Sequence, residues 1–179
     1  MRSRRGWAVV LALLAIVTLA AGIPYFVAGE DARRPPQQPQ LTTLALPPGV
    51  TLDSLQRAEV EEIVDGDTLD VRVDGRRERV RLFGVDTPER GDRCYREAQD
   101  RTDGLIGGRV LMLADARDRD SFGRLLRYVF RPDGVSVDAT LVAEGFGTAW
   151  RQDGRYRDEM VALEAEARAA GRGCLWGTG

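Results

Sequence analysis

Hydrophobic positions along the chain fall into three regimes. Between residues 6 and 29 no side chain is charged and Val, Leu, Ala and Ile dominate, behind three arginines within residues 2–5. This is the pattern of a signal peptide or a signal anchor, and the run exceeds the roughly 20 residues needed to span a bilayer. A retained anchor over residues 1–29 is the favoured reading. Pro24 and the small-residue stretches 20–22 and 27–29 fit removal by a signal peptidase instead. Both readings place the remainder outside the cytoplasm, because the arginine cluster stays inside. Residues 30–56 hold five of the eight prolines together with Gln and Thr, a composition that reads as an extended, disordered linker. The folded domain is expected over residues 57–179.

From Val60 onward the period becomes two. Leu69, Val71 and Val73 alternate with Asp70 and Arg72; Val80 and Leu82 then alternate with Arg79 and Arg81 across Asp74-Gly75. This predicts a hairpin closed by a type I′ turn. A preceding strand is expected over about residues 58–64, and others over residues 109–114 and 125–130, the last closed by Pro132-Asp133-Gly134. Five short strands suggest a small barrel. Helical periodicity marks three segments. Residues 95–106 are weak because Gly104 interrupts them. Residues 137–144 follow a Ser136 cap and stop at Gly145, and residues 156–170 carry Tyr156, Met160, Leu163 and Ala167 as an apolar stripe expected to pack into a core. The order of elements makes an α+β domain.

Composition narrows the chemistry. The chain has no His, and neither Lys nor Asn occurs, so all 26 basic residues are Arg. A His-based nucleophilic site, a His-ligated zinc, a Schiff base and a P-loop lysine are all excluded. Catalysis must rest on carboxylates, arginines, hydroxyls or a bound cation. From Arg57 onward 21 arginines face 25 acidic residues, a formal charge of −4. That balance argues against gripping long stretches of nucleic acid and for a small site with transient binding.

Three stretches carry candidate chemistry. In Asp65-Gly66-Asp67-Thr68, Asp67 starts a strand whose same-face neighbours point inward, so its carboxylate needs a cation or hydrogen bonds to offset lost solvent. In the run from Arg81 to Glu89, which ends Val85-Asp86-Thr87-Pro88-Glu89, two carboxylates sit where a strand exits, close enough to converge on one ion or water. Arg81 has opposite parity to Leu82 and can reach a ligand there. In Asp120-Ser121-Phe122-Gly123-Arg124, a turn launches a strand with Arg124 placed to offer phosphate a planar fork. Each stretch taken singly also fits solvated surface.

Together, in this order and spacing, the three stretches resemble the staphylococcal nuclease (thermonuclease) family, from about Val60 to Trp176. The resemblance implies an OB-fold five-stranded barrel with three α-helices. It implies Asp67 and Asp86 as carboxylate ligands of Ca²⁺, with the Thr87 backbone carbonyl as a further ligand, a hard-oxygen set suited to that ion. It implies Glu89 orienting or deprotonating the attacking water, and Arg81 and Arg124 holding the phosphodiester and stabilising the transition state. The activity implied is endonucleolytic hydrolysis of DNA and RNA to 3′-phosphorylated products, by a monomer. Such chemistry needs neither His nor Lys. Phe122 stands where relatives often carry Tyr, the loop over residues 90–93 is short, and Trp150 and Tyr156 are candidates for a further substrate-contacting aromatic. The competing reading is a non-catalytic OB module that binds nucleic acid or protein. Outside the cytoplasm Cys94 and Cys174, the only cysteines, are expected to pair, the alternative being two independent small apolar residues.

Overall fold

The computed structural model describes residues 40–177. The signal or anchor segment and the first part of the linker lie outside them. Five strands close a barrel in the order β1-β2-β3-β6-β5: β1 (Gln56–Ile63), β2 (Thr68–Val73), β3 (Arg76–Leu82), β5 (Arg109–Arg119) and β6 (Leu125–Phe130). All neighbours are antiparallel except β3 and β6, which run parallel with Arg81 opposite Leu126. The hairpin between β2 and β3 forms as its alternation predicts. Asp74 and Gly75 have φ of 48° and 78°, the two left-handed positions that a type I′ turn demands.

Two further strands, β4 (Val85–Asp86) and β7 (Thr148–Ala149), pair with each other outside the barrel. They are too short to show a period. The helices are α1 (Tyr95–Leu105), α2 (Val137–Ala143), α3 (Arg157–Ala169) and a single turn, α4 (Gly173–Trp176), so the described residues hold one short helix more than the three expected. Ser136 caps α2 by accepting from the Ala139 N–H at 3.2 Å. Every residue of α2 is buried, which fits a helix wedged between the barrel and α3. The α3 stripe packs inward at Tyr156, Met160 and Ala167, while Leu163 is only half-buried. Beside it Glu164 is 2 % exposed. Its carboxylate accepts from the Ala149 N–H at 2.9 Å and pairs with Arg151 and Arg168.

The linker reading does not hold for residues 40–56. Ser136 N–H donates to the Thr42 carbonyl at 2.8 Å, Thr42 N–H donates to Thr140 Oγ1 at 3.0 Å, and Tyr156 donates its hydroxyl to the Ala45 carbonyl at 2.7 Å. Leu44, Leu46, Val50 and Leu52 pack against the core and Leu55 is buried in it. Proline and glutamine content set the expectation of an extended spacer. The chain here runs without long regular structure, through a turn at residues 48–49 and a single 3-10 turn over Leu52–Ser54, and its leucines find a face to cover. Truncating the protein to begin at Arg57 should cost about 3–5 kcal/mol of stability, as several partly buried Leu and Val side chains return to water; urea midpoints of the two proteins check this.

Asp70 ties β2 to β3. Its side chain is 4 % exposed and accepts from Arg79 at 2.7 and 2.8 Å and from Arg77 at 2.6 Å. These bonds, Arg79's foremost, hold its carboxyl near a pKa of about 2 against an ordinary 3.8. A depressed folded-state value means stability present above pH 3.8 and lost as pH falls toward 2, amounting to about 2 kcal/mol. Asp70→Asn should therefore flatten the loss of stability between pH 4 and 2 in urea titrations. Asp138 acts in the opposite sense. Complete burial raises it to about 6 despite N–H donors from Gly84 and Val129, so it costs stability as pH rises from 3.8 toward 6.

Candidate active site

The turn before β2 is shaped by close packing. A Cβ at Gly66 would meet Thr87 Oγ1 at 2.7 Å and Ala98 Cβ at 3.0 Å, so only glycine lets the turn lie against Thr87 and α1. Thr102 of α1 fastens it by donating to the Gly66 carbonyl at 2.6 Å. Asp67, next in the chain, is 5 % exposed. Its Oδ2 accepts from the Thr87 N–H at 2.7 Å and the Thr87 hydroxyl at 3.0 Å, and its Oδ1 faces Arg81 Nε at 3.0 Å. Burial pushes its carboxyl up to about 6, opposed by Arg81 and the Thr87 N–H.

Arg81, near the end of β3 and 8 % exposed, joins the two aspartates. Besides Asp67 it pairs with Asp86 Oδ1 at 2.6 Å and donates to the carbonyls of Leu82 and Val85. Those carbonyls become available because the chain turns out of the barrel after Leu82 and starts β4. The turn itself is pinned from behind, by Asp138 on the Gly84 N–H at 3.0 Å. Arg124 begins the approach to β6. Asp120 accepts from its Nε at 2.6 Å and from its backbone N–H at 2.9 Å, and Arg124 reaches Thr68 Oγ1 at 3.4 Å. Thr68 in turn donates to Asp67 Oδ1 at 3.2 Å. Burial would raise Asp120, yet the Arg124 hydrogen bonds hold it below the ordinary carboxylate range.

Arg81, Asp86, Asp120 and Arg124 open onto one cleft of about 350 Å³, lined also by Glu89, Phe122 and Trp150, while Asp67 and Thr87 are buried behind Arg81. Phe122 is 83 % exposed, with the Arg124 guanidinium 5.5 Å from its ring. Glu89 is exposed, and its backbone is held by a reciprocal pair of hydrogen bonds with Asp92. Five of the six predicted site residues, Asp67, Arg81, Asp86, Thr87 and Arg124, are thus linked through Arg81 and Thr68, and Glu89 shares the cleft of Arg81, Asp86 and Arg124. The expected convergence of Asp86 and Glu89 on a common ion takes a different form: Asp86 is turned to Arg81, and among the described residues no three acidic or Cys side chains gather as a metal cage. Thr87 meets Asp67 through its N–H and hydroxyl. Of the two candidate aromatics, Trp150 lines the cleft, whereas Tyr156 is buried with its hydroxyl on Ala45 and belongs to the core. Missed from sequence were Asp120 as the brace of Arg124, Asp138 behind the turn, and Arg117, which also lines the cleft. Only Asp120 stood inside a motif.

Cys94 and Cys174 are bonded, with Cα atoms 5.7 Å apart. Arg93 donates to the carbonyls of Cys174 and Gly177. The loop that leads from Glu89 into α1 is thereby fastened to the C-terminal turn.

The described residues thus form a closed five-stranded barrel with arginines and acidic side chains gathered at one cleft. The profile of the family described as staphylococcal nuclease homologue matches residues 79–178, and the chain belongs to that family. It is 39 % identical over 129 residues to Protein ParB of Escherichia coli, spanning 67 % of this chain and 72 % of that one. It is 34 % identical over 129 residues to a micrococcal nuclease of Shigella flexneri, spanning 67 % and 73 %. It is 33 % identical over 118 residues to a thermonuclease of Staphylococcus intermedius, spanning 61 % and 70 %.

Proposed function

We propose that the protein is a Ca²⁺-dependent nuclease that hydrolyses phosphodiester bonds of DNA and RNA endonucleolytically, leaving 3′-phosphates. The observation that carries this reading is the pair of braced arginines, Arg81 and Arg124, opening onto the same cleft as Asp86 and Glu89. Two guanidinium groups with fixed orientation suit the equatorial oxygens of a phosphate under attack, and preorganised donors of this kind are the largest single contribution to such catalysis. Among the described residues Glu89 is the one acidic group of the set not committed to an arginine, which leaves it able to orient and deprotonate water.

The donor set fits a hard divalent cation. Asp67, Asp86 and the Thr87 carbonyl would supply only oxygen, and an ion held by them would share Asp67 with Arg81, Thr68 and Thr87, which already bond its two oxygens. When bound, such an ion contributes Lewis-acid stabilisation of charge on the phosphate. Arg81 already takes one oxygen of each carboxylate, so the same guanidinium that binds phosphate sets the two aspartates in register. A non-catalytic binding module has no use for a free Glu89 beside two braced arginines, which favours the enzyme.

The localisation proposed is outside the cytoplasm, on the membrane through residues 1–29, with the protein acting as a monomer. Among the described residues no helix is long and apolar enough to cross a membrane. The disulfide is consistent with an oxidising compartment. Incubating the protein with single- and double-stranded DNA and with RNA, and sizing the products and their termini, tests the activity. Intact substrates throughout, with Ca²⁺ supplied, would refute it.

A further inference from the structure

We propose that Arg117 is a specificity-determining residue that reads a guanine base beside the cleaved phosphate; this rests on the nuclease reading above. Arg117 lies in the irregular part of β5, where the pairing with β6 skips between Ala114 and Arg119, and its side chain lines the catalytic cleft. Its guanidinium carbon sits 5.1 Å from the Phe83 ring and 5.8 Å from the Trp150 ring. Asp153 takes one edge of the group, accepting from Nε at 2.8 Å and from Nη2 at 2.8 Å. The same Asp153 Oδ1 accepts from Trp150 Nε1 at 2.8 Å, so the carboxylate fixes the arginine and the indole together.

The outer edge remains. Nη1 makes no hydrogen bond or ion pair among the described residues, and the side chain is 37 % exposed. Arg117 therefore offers an oriented donor fork, flanked by two aromatic rings, with its charge already balanced by Asp153. All three cleft arginines are carboxylate-paired; what sets Arg117 apart is an Nη1 without a partner among the described residues, beside Trp150 on the cleft wall. That edge has the geometry to meet a pair of acceptors, and the neighbouring indole favours a base over a sugar-phosphate strand. Guanine presents adjacent acceptors, O6 and N7, which match the fork. Adenine puts an amino donor at the first of these positions, and thymine offers a single acceptor on the corresponding edge.

The test uses the full chain and labelled single-stranded oligothymidylates that carry one guanine, adenine or cytosine at a central position. Cleavage beside the substituted base is compared with cleavage between thymines in the same strand. The expected result is about tenfold preference at guanine, falling toward unity in both Arg117→Gln and Arg117→Lys, with the ratio read independently of any common change in rate. Equal cleavage at all bases, a preference for cytosine over guanine, or a guanine preference that survives in both variants would overturn the assignment. Failure to cleave any oligonucleotide would overturn the nuclease reading itself, and this proposal with it.

Discussion

Replacing Arg81 by lysine is expected to lower turnover about a hundredfold or more while the protein stays folded. The structure gives Arg81 two tasks that a point charge cannot share. It pairs with Asp67 and Asp86 at once, and with Nη1 on the Leu82 and Val85 carbonyls it keeps one Nη2–H, fixed in direction, for the cleft. Lysine retains a charge able to satisfy one carboxylate, which protects the fold from a buried unpaired Asp67, but it cannot bridge both carboxylates and meet a phosphate. Loss of one preorganised donor to a developing charge costs about 3 kcal/mol, or roughly two orders of magnitude in rate. Arg124→Lys should behave similarly, since Asp120 orients its Nε edge and a lysine has none. Arg157, paired with its exposed neighbour Asp158 on the solvent side of α3, is the control, and Arg157→Lys should leave rates unchanged. Steady-state turnover on a DNA substrate, beside thermal midpoints, decides the matter. Near-wild-type rates for both site variants would reduce the two arginines to structural ion pairs.

The second large effect is on stability. Removing the bridge between Cys94 and Cys174, by Cys→Ala at both positions or by reduction, should cost about 4 kcal/mol, the chain-entropy value for a loop whose ends are 80 residues apart. Cys94 is buried, and its left-handed φ of 75° sits where the chain turns into α1, so the bridge also sets where the Glu89 loop ends. Arg93 repeats the connection by hydrogen bonds to the Cys174 and Gly177 carbonyls. Denaturant titration of oxidised, reduced and Ala-substituted protein measures the effect as a shift in midpoint. An unchanged midpoint would mean that the C-terminal turn holds its place without the bridge.

What the sequence made legible was local. Asp74-Gly75 specified its turn, Ser136 its cap, and the alternation from Leu69 to Leu82 its strands, because each depends on neighbours a few residues away. The site motifs were visible for the same reason: Asp67, Asp86-Thr87-Glu89 and Arg124 each stand at the end of a periodic segment. Their mutual wiring was not. Arg81 bridging Asp67 and Asp86 depends on β2 pairing with β3 and on the chain leaving the barrel after Leu82. The bracing of Arg124 against Thr68 depends on the parallel pairing of β3 with β6. Glu164 lies in a segment whose apolar stripe alone was legible, since nothing local announces that β7 will present an N–H to it. Residues 40–56 misled through composition: Leu44 and Leu46 were outweighed by prolines, although a strap with alternating leucines can cover a core groove as readily as it can span solvent.

The most direct test of the account is digestion of single-stranded DNA by the full chain with Ca²⁺ and with excess chelator, alongside a circular-dichroism check that the fold persists in both. The proposed cation would be held by Asp67, Asp86 and the Thr87 carbonyl, whereas the core of Leu69, Val80, Leu82 and Val129 needs no ion. The account predicts 3′-phosphorylated fragments with Ca²⁺, none with chelator, and an unchanged spectrum. Full cleavage in excess chelator, or no cleavage by folded protein supplied with Ca²⁺, would contradict it.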